Sequence, residues 1–206
     1  MSLTDALTSL TVDTLNRGGR ALQRAGVIRP DLSAGRLIAA AQRRARLDQF
    51  GAWPFEDPLR RLLTAYEQEA KLSTVGRLAV RELIVSLLEN LLYLEHEQQV
   101  SPKIESQTID SPVFIIGLPR TGTTLLHELI AQDPATRTPR TWEVMFPAGY
   151  RETVTEIDRI RARTDSRLAW ANRLAPDFER IHEIGAGLPQ ECIAIMAQGF
   201  ASIQFH

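Results

Sequence analysis

The sequence has a single cysteine, Cys192, so no disulfide framework can support the fold from within the chain. It has no excess of either charge. Against 24 Lys and Arg stand 25 Asp and Glu, a formal net charge of -1. An overall field that would draw nucleic acid or an anionic membrane is thereby excluded, and any anion site must be local. Long apolar runs are missing too. The most apolar stretch, Leu83–Leu94, is broken by Glu89 and Asn90 and is far short of a bilayer span, so no transmembrane helix is expected. Met1–Leu10 lacks the basic start and apolar run of a secretory signal, which makes a reducing cytoplasm the expected compartment. There is no internal repeat and no low-complexity tract. What is present, 206 residues of which 44% are apolar, suits one ordinary globular domain or a core with a helical extension.

The first hundred residues show no strand pattern, and apolar residues recur at three and four positions as in amphipathic helices. Asp57-Pro58 predicts a helix start, with Asp57 as the cap, Pro58 in the first turn, and Leu59, Leu62, Leu63 and Tyr66 on one face. Ser73 predicts the cap of a further helix over about 74–95. Val75, Leu78, Leu83, Ile84, Leu87, Leu88, Leu91 and Leu92 make that helix apolar over much of its circumference, as a core helix is. From Glu97 to Pro112 the sequence turns polar and loop-like, and this divides a mainly helical region, 1–105, from a second region, 106–206. There, Val113-Phe114-Ile115-Ile116 reads as a central parallel strand covered on both faces, followed at once by a glycine loop and a helix. That order starts an α/β unit. Helices are expected over 153–172 and 189–197, and a strand over 200–205.

Gly117-Leu118-Pro119-Arg120-Thr121-Gly122-Thr123-Thr124 has the spacing of a nucleotide phosphate loop. Glycines let the backbone turn back and approach an anion, while free N–H groups and the positive end of the following helix point at it. Thr121, Thr123 and Thr124 can add hydroxyl donors. A Walker-type kinase or ATPase needs Lys directly after the second glycine, and that position is Thr123. The cation stands instead at Arg120, inside the loop, where a guanidinium can bond the oxygens of a phosphosulfate.

A strand followed by Gly-x-x-Arg-Thr-Gly-Thr-Thr resembles the sulfotransferases that use 3′-phosphoadenosine 5′-phosphosulfate (PAPS), most of all the bacterial type with a long helical N-terminal region. Supporting segments are FGAWPFEDPLRRLL, PRTWEVMFP and FERIHEIGAGLPQEC. The resemblance implies a P-loop-type three-layer α/β fold with a parallel sheet, and PAPS bound through Gly117, Pro119, Arg120, Thr121, Gly122, Thr123 and Thr124. It implies transfer of a sulfuryl group, without a metal, to a hydroxyl or amine of a small-molecule acceptor. Such transfer needs a positioned donor, a cation for the leaving oxygen and a base for the acceptor proton. Arg120 is the expected cation. Glu143 is the expected base, because several branches of the family place a glutamate shortly after the loop helix, just past a second strand. His182 is the rival, since other branches use histidine; a lone histidine on a partly apolar face also fits a structural role. Glu191, after Pro189, is expected to favour a helix dipole, and Trp53, Trp142 and Trp170 are expected in the core in preference to an acceptor pocket.

Only 89 residues follow Gly117, enough for about two further strands with their crossovers. The Arg and Ser that hold the 3′-phosphate in the family, and its Gly-rich basic loop, have no counterpart here. The chain therefore reads as the N-terminal portion of a longer sulfotransferase or a shortened copy, with an incomplete sheet and weakened PAPS binding and catalysis. Two other readings stand beside it: a P-loop kinase or NTPase with a displaced lysine, and a non-catalytic helical interaction protein with a remnant loop.

Overall fold

A computed structural model describes residues 14, 17–19, 30–118, 121–150, 153–174, 183 and 185–205. Three helices build the larger core. Helix α1 (Ala34–Ala45) buries Leu37, Ala40 and Ala41, one stripe at spacings of three and one, and ends where Arg46 turns left-handed at φ 58°. Helix α2 (Glu56–Gln68) buries Leu59 and Leu63, with Leu62 and Tyr66 partly buried beside them, the face expected from its periodicity. Its start differs from expectation. Asp57 lies inside the first turn, bonded to Arg61 at 2.9 Å, and the cap position is held by Phe55. Phe55 is buried, its ring 4.7 Å from Phe50 and 6.3 Å from Phe200, so anchoring an aromatic outranks side-chain capping at this end.

Helix α3 (Thr74–Val100) opens at Ser73, whose hydroxyl accepts from Gly76 N at 3.1 Å, the cap expected there. At 27 residues it continues past the predicted end, and Pro102–Ile104 forms a single 3₁₀ turn after it. Ile84, Val85, Leu87, Leu88, Leu91 and Leu92 are buried, each contributing about 1.5–3 kcal/mol by leaving water. Leu78 and Leu83, expected in the core, are exposed. Arg77 is buried where α2 and α3 meet, donating to Pro30 O at 3.0 and 3.2 Å and to the Glu67 carboxylate.

Phe200 belongs to this helical core although it lies far along the chain. It adopts φ 58°, a left-handed conformation held by burial of its ring, and sits between 3₁₀ turns at Ala197–Gly199 and Ile203–Phe205. The strand expected over 200–205 is therefore replaced by turns that serve to insert one aromatic.

A second, smaller core joins Trp142, Ile160 and Ala186, with Phe146, Tyr150 and Ile157 against it. Ile160 comes from α6 (Val154–Leu174), close to the predicted helix. Arg163 and Arg167 stack on Phe146 at 4.6 and 4.9 Å, and Arg167 Nη1 donates to Ser86 Oγ at 3.0 Å, tying α6 to α3.

Among the described residues there is no strand; the only β pairing is an isolated antiparallel bridge between Arg140 and Pro189. Val113–Ile116 has no regular structure and makes no β pairing, and Val113, Phe114 and Ile116 are between 72% and 92% exposed. An apolar run becomes a strand only when neighbouring chains accept its N–H and C=O groups, and no described segment lies beside it to do so. The parallel sheet expected here is thus absent from the described residues. No helix among them is long and apolar enough to cross a membrane.

Candidate active site

The glycine loop is described at Gly117, Leu118, and from Thr121 onward; Pro119 and Arg120 lie outside the described residues. Helix α4 (Thr123–Ile130) begins directly at its end. Gly122 at the cap has φ 89° and its carbonyl accepts from Leu126 N at 3.0 Å, so a side-chain-bearing residue would be strained there. Gly117 is required for a different reason. A Cβ at this position would come within 2.6 Å of Thr123 Cγ2 and 2.9 Å of Thr121 Oγ1, so the loop folds back over its own first residue. The Thr121 hydroxyl closes that turn by donating to Leu118 O at 2.7 Å. The N–H groups of the first turn of α4 have no partner inside the helix, which makes its start an electropositive end.

Thr124 reaches away from the loop: its hydroxyl donates to Glu191 Oε1 at 2.9 Å. Glu191 is the residue before α7 (Cys192–Met196), which starts later than the helix predicted from Pro189. Residues 186–190 turn and bend, and are bonded to 139–142: Gln190 N donates to Pro139 O at 2.8 Å, Thr141 N to Leu188 O at 3.0 Å, and Trp142 N to Ala186 O at 3.1 Å. The expectation that Glu191 merely favours a helix dipole misses this link to Thr124, which joins residues 67 positions apart and has no local signature.

Glu143 does not follow a strand. It occupies the first turn of α5 (Thr141–Met145), where Oε2 accepts from Arg140 N at 2.7 Å and Oε1 from Arg137 Nη2 at 2.8 Å. The carboxylate thus caps the helix from within, as the glutamate of a capping box does, and its side chain is 23% exposed. Beside it Trp142 is buried, its ring 5.9 Å from Tyr150, a core residue as expected. His182 lies outside the described residues.

Glu143 and Arg137 form part of the wall of a cavity of about 830 Å³. The remainder of the lining is mostly apolar: Phe50, Trp53, Leu91, Leu94, Val144, Ile195 and Met196, with Pro54, Pro58, Pro139 and Pro147. Trp53 is 63% exposed, its indole against Gly199, and so belongs to the cavity and not to the core. Trp170 is likewise exposed, though away from this lining. Helix α7 connects the two halves of the site, since Glu191 at its start bonds the loop helix and Ile195 and Met196, one turn on, face the cavity. Among the described residues no cluster of three or more His, Cys, Asp or Glu is placed to hold a metal ion.

The glycine loop at the start of α4 and the apolar cavity walled by Glu143 are thus linked through α7, and comparison with known proteins shows what the chain carrying them is similar to. Residues 112–206 are similar to the sulfotransferase family, whose pattern they match. Sulfotransferase STF1 from Mycobacterium tuberculosis H37Rv has a similar structure, with a TM-score of 0.72 and 27% identity over 86% of this chain and 50% of that one. Sulfotransferase STF9 from Mycobacterium avium shares the fold, with a TM-score of 0.65 and 22% identity over 86% of this chain and 46% of its own. The chain spans about half the length of these structures. No curated protein matches it.

Proposed function

We propose that this chain is the donor-binding part of a PAPS-dependent sulfotransferase, with the loop 117–124 as the cradle for the 5′-phosphosulfate. The observation that carries the proposal is the fold-back of the loop onto Gly117, which brings Thr121 and Thr123 within contact of a position that only glycine fits, at the positive start of α4. Gly117, Pro119, Thr121, Gly122, Thr123 and Thr124 would hold the anion, Thr121 and Thr124 through their backbone N–H groups because their hydroxyl protons go to Leu118 O and Glu191, with Arg120 on the leaving oxygen. The residue types fit the group: backbone N–H donors, a hydroxyl and a guanidinium, with Thr123 where a Walker loop carries lysine. Bound there, the donor would supply a sulfuryl group on a phosphate leaving group.

The chain's own part is to orient the acceptor, exclude water and remove a proton. Glu143 is positioned for the last task in the cavity wall, and each of its oxygens keeps a lone pair beyond the bonds to Arg137 and Arg140. His182 is the alternative base. Val113–Ile116 would serve as a strand of the parallel sheet once neighbouring strands pair with it. The acceptor is a small molecule bearing a hydroxyl or amine, and transfer proceeds without a metal.

The test is a thermal-shift comparison of 3′-phosphoadenosine 5′-phosphate with ATP plus Mg²⁺, because a ligand that binds only the folded form raises the midpoint. The first should raise Tm by about 5–11 °C at a hundredfold excess over Kd, and Gly117→Ala should abolish the shift. A shift with ATP plus Mg²⁺ alone would establish the kinase reading instead. No shift with either would favour the non-catalytic one.

A further inference from the structure

Helix α4 carries one end of the proposed cradle, yet little of the chain holds it in place. At eight residues it is too short to persist on propensity alone, since isolated helices below about 12–15 residues are marginal in water. Packing usually makes up the difference, but none of its residues is buried, and Leu125, Leu126 and Leu129 are exposed. Its position therefore depends on side-chain hydrogen bonds. Among the described residues these join His127 Nε2 with Thr138 Oγ1 at 2.7 Å, Thr136 Oγ1 to Ile130 O at 2.6 Å, and Thr124 Oγ1 to Glu191 Oε1 at 2.9 Å. The first two hold the helix to the segment that directly follows it. Only the third reaches a distant part of the chain, and it does so from the first turn, beside Gly122 and Thr123.

A carboxylate at this place calls for an explanation. Beside a cradle for an anion it is unfavourable on charge alone, and the Glu191 side chain does not cap α7, the helix it precedes. Among the described residues its carboxylate is bonded to Thr124 alone. The segment that carries Glu191 is itself firmly seated: Ser202 Oγ donates to Ile193 O at 2.7 Å, Ala197 is buried, and Phe200 is inserted in the helical core. Thr124 thus has a fixed partner. We propose that Glu191 is a positioning residue for the donor cradle: by holding the Thr124 hydroxyl it sets the first turn of α4, and with it the direction of the N–H groups that face the 5′-phosphate. It acts through Thr124 and does not touch the anion. The assignment rests on the donor reading above.

The experiment is isothermal titration calorimetry of the full chain with 3′-phosphoadenosine 5′-phosphate, on wild type, Glu191→Ala, Glu191→Gln, Thr124→Val and the double variant Thr124→Val with Glu191→Ala. Glu191→Ala removes the acceptor and should weaken binding about tenfold, the scale of one charge-assisted hydrogen bond. Glu191→Gln keeps an oxygen for Thr124 and drops the charge, so its affinity should stay within about threefold of wild type. These two changes separate positioning from field. If Glu191 acted only by its charge, both would tighten binding, and that result would overturn the proposal. Thr124→Val breaks the same bond from the other side, and it decides the matter alone should Glu191→Ala not fold. In the double variant the loss should match that of either single change, because all three remove one bond. A double loss equal to the product of the single losses would show that the Thr124 hydroxyl meets the anion directly, and the proposal would fall. It would fall too if Glu191→Ala lowered Tm but kept the wild-type Kd, the result expected of a merely structural bond. Wild type that takes up no 3′-phosphoadenosine 5′-phosphate sinks the donor reading itself, whereas wild-type binding with unmoved variants sinks only the role of Glu191.

Discussion

Glu82 and Glu89 lie one above the other two turns apart on α3, and both approach the guanidinium of Arg44, yet their carboxyls shift in opposite directions. Glu82 is bonded to Arg44 at 2.9 Å and half exposed, and that hydrogen bond holds its carboxyl below the usual range. Glu89 is 3.9 Å from the same group and more buried; desolvation dominates and pushes its carboxyl up. The signs of linkage follow. For Glu82 the stabilisation is present above its unfolded pKa and is lost as pH falls through the lower folded value. For Glu89 a stability cost appears as pH rises from the unfolded value through the higher folded one. Glu89→Gln should therefore raise Tm at pH 7 by about 1–3 °C, with the gain disappearing near pH 4, and Glu82→Gln should lower it at pH 7; thermal melts across that range decide. A second residue-scale expectation concerns Glu143. In Glu143→Gln the amide oxygen can still accept from Arg140 N, so α5 should persist, and loss of the exposed pair with Arg137 should cost no more than about 1 kcal/mol. Turnover should fall about 10²–10⁴-fold with the 3′-phosphoadenosine 5′-phosphate shift retained; unchanged turnover would move the base to His182.

At the scale of elements, what could be read in advance is what a few consecutive residues determine. The stripe of α2, the Ser73 cap and the extent of α6 follow from local periodicity and capping chemistry, and all three are found. The Gly122 conformation also belongs here, since the loop and its helix start are set within eight residues. Misreadings occur where a distant partner decides. Phe55 displaces Asp57 as the start of α2 because Phe200 packs on it, Glu191 is drawn to Thr124, and residues 189–190 bond to 139–140 in place of the first turn of a longer helix. Arg77 is another product of distance. It is buried and bonded to Pro30 and Glu67. Arg77→Ala leaves that carbonyl and carboxylate without their cation, and urea unfolding should register a loss of about 2–3 kcal/mol. A loss below about 0.5 kcal/mol would show that the contact is not made in solution.

The whole molecule is divided between a well-covered helical core and an uncovered apolar surface. Leu37, Leu59, Ile84, Leu88 and Leu92 are fully buried, and Asn90 fastens this core to the site by donating to Met145 O at 3.1 Å and to Gln198. Around the glycine loop the balance reverses: Val113, Phe114, Ile116 and Leu118 are exposed, as are Leu125, Leu126 and Leu129 of α4. Seven large apolar side chains within 17 residues form an association-prone surface, because apolar area left in water is removed by whatever meets it first. The sequence pattern of a buried strand is intact, and the surroundings that would bury it are what is missing among the described residues. The consequence can be measured without knowing what covers the segment. In the double variant Phe114→Lys and Ile116→Lys, both side chains leave one solvated position for another, so Tm should stay within about 1–2 °C of wild type. Self-association, followed by static light scattering against concentration, should fall, since two cations interrupt the apolar run and repel their counterparts on a second copy. If Tm instead drops by about 5 °C or more, the segment is packed in solution and forms its strand within this chain.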